Sequence, residues 1–278
     1  MTAPAVIRSG VGLRHFQIMA IAADGYAAAT TSAAYIGAQL SGVKTVALND
    51  PDPQLISHAG DDGVFMQDSL PPQEGISGTI TVAKTNDTID AILTDDKSFA
   101  VGEAKLFGEG SNNKGLENDV IVLTYRQARD TDPASANFGA RVWEFKIMPK
   151  CAVIPKAEGF AENTGTSKSY TLRPGFATKH AWGTAFSANT EGFTRAQMLR
   201  GVTQNPPFWC AWNGDGASDE LPFDDDYPAV STDKVHGVWV EGVLKTETTD
   251  YSVMTTSITF VTAPASNANV FCFYEISA

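Results

Sequence analysis

VWVEGVLKTETTDYSVMTTSITFVTAPASNANVFCFY, residues 238–274, reads as four short strands divided by turns. Val238–Val240 is apolar and rich in strand formers, and Glu241-Gly242 supplies a turn. Asp250-Tyr251 opens a second strand, and a third alternates Ser257 and Thr259 with Ile258 and Phe260. After Pro264-Ala265-Ser266-Asn267, the run Val270–Tyr274 closes the set. Strand signals recurring every 8 to 12 residues or so mark an all-β sandwich or small barrel.

The same pattern continues toward the N-terminus. Ile76, Ile80 and Val82 share one face of a strand whose other face carries Ser77, Thr79 and Thr81. Val43–Leu48, Val64–Met66, Cys151–Ile154, Ser167–Leu172 and His180–Phe186 are further expected strands. Val120–Tyr125 is apolar on both faces, as a central strand would be. Arg141–Met148 sets Trp143, Phe145 and Ile147 against Glu144 and Lys146. Two short helices are expected. The first starts near Thr85 or Asn86 and carries Ile89, Ile92 and Leu93 on one stripe. The second runs from Thr194 to Arg200, with Thr194 and Gln197 as a capping box and Gly201 as the residue after its end. Residues 1–40 are Ala-rich and include a candidate N-terminal arm. Leu106–Asp119 and Arg129–Gly139 read as polar loops. The Asn205-Pro206-Pro207 break places a boundary near residue 203. The expected fold is therefore mostly β. A sandwich or barrel-like domain with one or two short helices spans 1–203, and a small C-terminal β-sandwich domain spans 204–278.

The chain has 278 residues, 43% of them hydrophobic and 19% charged, which describes a folded chain with a proper core. Its formal charge of −12 disfavours tight binding to nucleic acid. Cys151, Cys210 and Cys272 are far apart, lie among apolar residues and form no CxxC, so folding in a reducing compartment is expected. Neither a signal peptide nor a membrane span is expected, because the apolar stretch Phe16–Ala23 is short and ends at Asp24-Gly25.

Signals for chemistry are sparse. His15, His58, His180 and His236 are scattered and form no metal-ligand spacing. There is no GxSxG, no P-loop and no GxGxxG between a strand and a helix. The acidic groups Asp50 with Asp52, Asp61 with Asp62, Asp95 with Asp96, and Asp224–Asp226 read as solvated turns; a hydrolase would need two of them to converge in one cleft. Asn213-Gly214-Asp215-Gly216 resembles part of a calcium loop, but Ala211 and Pro222 stand where such a loop needs its first and last carboxylates. No catalytic residue, metal or cofactor is expected. Phe208, Trp209 and Trp212 are either glycan-stacking aromatics or packing between the two domains. In the long Gly/Asn-rich loop, Leu106, Gly108, Asn112, Asn113 and Leu116 are candidates for contacts between subunits.

Two stretches carry a family resemblance. VWVEGVL at 238–244, DYSV at 250–253, ITF at 258–260 and APA at 263–265 resemble a small β-module of phage virion proteins, which runs "NGV", "DYTV", "TITFTTAP" and a closing strand. Glu241 stands where that module usually has Asn. The stretch 43–96, with VKTV, GDD, ISGTITV and AILT in order, is similar to the strand-strand-helix core of siphophage major tail proteins. The resemblance implies a non-enzymatic virion protein whose sheets assemble into stacked, hexameric rings of a tail tube that conducts DNA. Its partners would be copies of itself, other tail proteins and DNA passing without tight binding, with no membrane. It would be assembled in the host cytoplasm and located in the virion. An acidic lumen would repel DNA. The alternatives are a phage adhesin or fibre-associated protein, a carbohydrate-binding β-module, and a head–tail connector.

Overall fold

The computed structural model describes residues 8–22, 25–31, 33–40, 43–49, 54–60, 63–70, 76–82, 89, 92–93, 98–101, 104–107, 119–131, 133–134, 138–155, 168–175 and 198–277. The strands of the N-terminal part are β1 (Arg8–Ala20), β2 (Ala38–Leu40), β3 (Val43–Asn49), β4 (Gln54–Gly60), β5 (Gly63–Leu70) and β6 (Ser77–Val82). They continue as β7 (Ser98–Val101), β8 (Ala104–Phe107), β9 (Asp119–Asp130), β10 (Arg141–Pro155), β11 (Lys168–Pro174) and β12 (Leu199–Thr203). The C-terminal part holds β13 (Pro207–Asn213), β14 (Glu220–Pro222), β15 (Val235–Val240), β16 (Val243–Leu244), β17 (Tyr251–Val253), β18 (Ser257–Phe260) and β19 (Asn269–Glu275). The fold is mostly β, built from several sheets, with no closed barrel among the described residues.

One eight-stranded sheet runs β2-β1-β9-β10-β11-β6-β3, with β12 also on β10, and every pair in it is antiparallel. Its two ends, β2 and β3, are separated in sequence only by residues 41 and 42. Three chain steps span at most about 11 Å, so the sheet has to curl until its ends nearly meet. The curl wraps one apolar cluster that draws Phe16 and Ile18 from β1, Val120 and Val122 from β9, Ile80 and Val82 from β6, and Tyr170 and Leu172 from β11. Ile89, Ile92 and Leu93 have helical backbone and pack into this cluster, as the expected stripe requires; the rest of that helix lies outside the described residues.

The C-terminal part forms a four-stranded sheet, β13-β19-β15-β16, and a three-stranded sheet, β14-β18-β17. A second cluster lies between them, with Phe208, Cys210 and Trp212 on one side and Leu221, Ile258 and Phe260 on the other. A third cluster joins the two parts of the chain: Met19, Ile121, Leu123 and Ile147 of the large sheet pack on Trp209, Ala211, Trp239, Phe271 and Phe273. The molecule is thus a stack in which both facing sheets are buried on two sides.

This layering explains the strand patterns. In β9, Val120 and Val122 face the first cluster while Ile121 and Leu123 face the third. In β10 the pairing shifts by one between Met148↔Val122 and Cys151↔Val120. One extra residue at Pro149-Lys150 turns the strand over, so Met148 upstream and Cys151 and Val153 downstream all reach the first cluster. Cys151–Ile154 is therefore the continuation of one long strand.

Several expectations are corrected. The helix expected at Thr194–Arg200 fails at its described end, because Leu199, Arg200 and Gly201 lie in β12, paired with Ile147, Lys146 and Phe145. The Phe145 ring lies over this glycine; a Cβ there would sit 2.2 Å from that ring's Cζ, so the ring would have to shift. The candidate arm within residues 1–40 is, from Arg8 on, a sheet strand followed by a strap on the C-terminal part; residues 1–7 lie outside the described residues. The loops are shorter than expected. Leu106 belongs to β8 and pairs with Phe99, and β9 extends through Arg129 to Asp130. Gly108, Asn112, Asn113 and Leu116, and the strand expected at His180–Phe186, lie outside the described residues.

Candidate functional site

The polar groups worth weighing gather along the seam between the two parts. After β1 the chain leaves the large sheet and crosses the outer edge of β13. Tyr35 N–H donates to Ala211 O (2.7 Å), Ala211 N–H donates back to Tyr35 O (3.0 Å), and Asn213 N–H donates to Thr30 O (2.8 Å). Side chains reinforce the strap: Asn213 Nδ2 donates to Ala29 O (3.2 Å), Asn269 Nδ2 to Ala27 O (2.8 Å), and the Tyr26 hydroxyl to Glu241 O (3.0 Å). Gln17, fully buried in β1, donates from Nε2 to Ile36 O and to Trp209 O, so one amide ties the large sheet, the strap and β13 together. Burial raises the Tyr35 hydroxyl above its ordinary range, opposed by the hydrogen bond it accepts from Ala20 N–H. These contacts satisfy the backbone of what would otherwise be a bare sheet edge.

A second polar cluster closes the β12–β13 connection. Glu275 Oε2 accepts from Asn205 N–H (2.7 Å) and from Asn205 Nδ2 (2.9 Å), while Oε1 meets His236 Nε2 at 2.8 Å. Burial pushes the Glu275 carboxyl up, but the hydrogen bonds from His236 and Asn205, with the histidine's charge, outweigh it and leave it below the usual carboxylate range. The other face of His236 lies against the Phe273 ring, 5.5 Å between centroids. A carboxylate–histidine pair does acid–base work when its imidazole reaches a third reacting group. Here the described contacts of His236 are a carboxylate and an aromatic ring, which is an arrangement that fixes a chain crossing.

Asp215 and Asp224 are turn residues. Asp215 Oδ1 accepts from Ala217 N–H (2.8 Å) and Ser218 N–H (2.6 Å), which holds its carboxyl below the usual range. Asp224 Oδ1 accepts from Asp226 N–H (2.9 Å). In these Asx turns one carboxylate oxygen of each aspartate is engaged by backbone N–H groups. Among the described residues no group of three His, Cys, Asp or Glu is placed to hold a metal ion. Asp50, Asp52, Asp61, Asp62, Asp95 and Asp96 lie outside them.

Phe208, Trp209 and Trp212 are all fully buried, so none offers a face on which a sugar ring could stack. Trp209 faces the seam and packs edge-on against Phe271 at 5.9 Å, whereas Phe208 and Trp212 point the other way into the C-terminal core. The Trp212 indole N–H donates to Pro222 O (3.0 Å), bridging the two small sheets. The strap residues Tyr26–Tyr35 and the Glu275 cluster were not legible as functional positions, because each depends on a partner roughly 40 to 240 residues away in the chain.

No family model matches the chain, and no curated protein and no solved structure is significantly similar to it.

Proposed function

We propose that this chain is a non-enzymatic structural virion protein, a tail tube subunit of the siphophage type that self-assembles into stacked, six-fold rings and conducts DNA. In this reading residues 1–203 are the polymerising β-sandwich or barrel-like domain, and residues 204–278 a small C-terminal sandwich on the tube's exterior, held by the strap. Its partners are copies of itself, other tail proteins and DNA in transit; its place is the virion, after assembly in the host cytoplasm; it needs no cofactor.

The observation that supports this reading most is the set of unfinished β-edges. The ribbons β4–β5 and β7–β8 pair only with themselves among the described residues. A lone two-stranded ribbon is marginal in water and gains stability by pairing with or packing on something else. The short edge strand β16 presents Val243 and Leu244 to solvent. Open edges are what a second chain adds to. The charge of −12 agrees with a conduit that repels DNA. A glycan-binding reading has lost the exposed aromatics it needed.

Sedimentation velocity over a wide concentration series tests the proposal. The expected result is a concentration-dependent step from monomer to a discrete species of about six chains and then to much larger particles. A single monomeric boundary at every concentration, in low and high salt alike, would refute it.

A further inference from the structure

Cys210 on β13 and Cys272 on β19 stand directly opposite each other. The backbone pairing fixes their spacing. Ile276 N–H donates to Pro206 O (2.9 Å) at one end of this ladder, and Gly214 N–H to Ala268 O (2.8 Å) at the other. Hydrogen-bonded pairs recur at every second position between these ends, so Cys210 and Cys272 form one of them. Cα atoms of such a pair lie about 5.5 Å apart, inside the roughly 4.4–6.8 Å that a disulfide bridges. Both side chains point into the same cluster, between the two small sheets. Cys151 supplies a built-in contrast: it lies in the other core, opposite Pro174 and Val120.

We propose that Cys210 and Cys272 are a dithiol/disulfide site, which closes to a cross-strand bond when the chain folds in an oxidising thiol buffer. The thiolate of one cysteine attacks glutathione disulfide, forming a mixed disulfide and releasing one glutathione thiolate. The second cysteine then attacks the protein sulfur of that mixed disulfide and releases the second glutathione. Two protein thiols are oxidised to one disulfide, and one glutathione disulfide is reduced to two glutathiones. The step belongs to folding rather than to the finished fold. All three cysteines are buried, and desolvation, with Cys272 alongside, pushes the Cys210 thiol well above its ordinary range. The nucleophilic thiolate is therefore scarce once the core has closed. The resulting bond would staple β13, which carries the strap, to the central strand of the four-stranded sheet.

The test is to refold the full chain from denaturant in mixed reduced and oxidised glutathione, alkylate the remaining thiols, and map the peptides. The expected product is a monomer 2 Da lighter than the reduced chain before alkylation, and after it one with a Cys210–Cys272 peptide and only Cys151 alkylated. It should melt about 10 °C higher than the same protein refolded with reductant, from the loop-closure entropy of the enclosed chain. Cys151→Ala should behave identically, and Cys272→Ala should form no intramolecular bond. Three alkylated cysteines, a bond to Cys151, or an oxidised form that melts lower than the reduced one would each overturn the assignment.

Discussion

Replacing Trp209 with alanine removes one of the largest side chains in the layer between the two parts of the molecule. The indole is fully buried, lies edge-on to Phe271, and shares its cluster with Met19, Ile121, Leu123 and Ile147 of the large sheet. Truncating a tryptophan at such a site costs about 3–5 kcal/mol, from lost transfer energy and from the cavity that rigid sheets on both sides cannot collapse. Whole domains are stable by only about 5–15 kcal/mol, so the loss is a large share of the total. With a urea dependence of about 3 kcal/mol per molar, the unfolding midpoint should fall by roughly 1–1.7 M. Because the strap and this layer join the two parts, strand signal in the far ultraviolet and protease resistance of residues 204–277 should be lost together in the variant and in the unaltered protein. A midpoint shift under about 0.3 M would refute the reasoning. So would two separated transitions, one part melting while the other stays folded.

Three other outcomes follow from the geometry. Gly37 has φ of +69° and an added Cβ would lie 2.0 Å from Ile18 O, so Gly37→Ala should cost about 2–4 kcal/mol in a denaturant titration. Gly175→Ala, with no described atom within 4 Å of the added Cβ, should stay within about 0.5 kcal/mol. Because the Glu275 carboxyl is held below its unfolded value, its contribution to stability is complete above the usual carboxylate range and disappears as pH falls through the folded value. Urea midpoints measured from pH 6 down to about pH 3 should therefore drop more steeply for the unaltered protein than for Glu275→Gln.

Legibility in the sequence depended on how many faces of a strand are buried. Ile80 and Val82 alternate with part-buried threonines, so that strand declared itself. In Arg8–Ala20, Phe16, Gln17, Ile18 and Met19 are all fully buried because one face meets the curled core and the other the seam. Two register shifts break whatever rhythm is left, between Gly10 and Leu13 and between Leu13 and His15. Pro207–Asn213 was hidden for the same reason: Phe208, Cys210 and Trp212 serve one core while Trp209 and Ala211 serve another. At Leu199 and Arg200, the described end of the helix expected over Thr194–Arg200, strand pairing with β10 overrules the local helical signal. Of what joins the two parts, Trp209 was legible as packing, but the strap was not, since Tyr35 meets Ala211, and Asn269 reaches Ala27, only after the whole chain has folded.

We propose that the open β-edges are completed by further copies of the chain. Negative-stain electron microscopy of the purified full chain at high concentration tests it most directly. Hollow tubes of uniform width, built from rings of one constant subunit number, are the expected image. A field of discrete single particles the size of one chain, unchanged as concentration rises, would contradict the account.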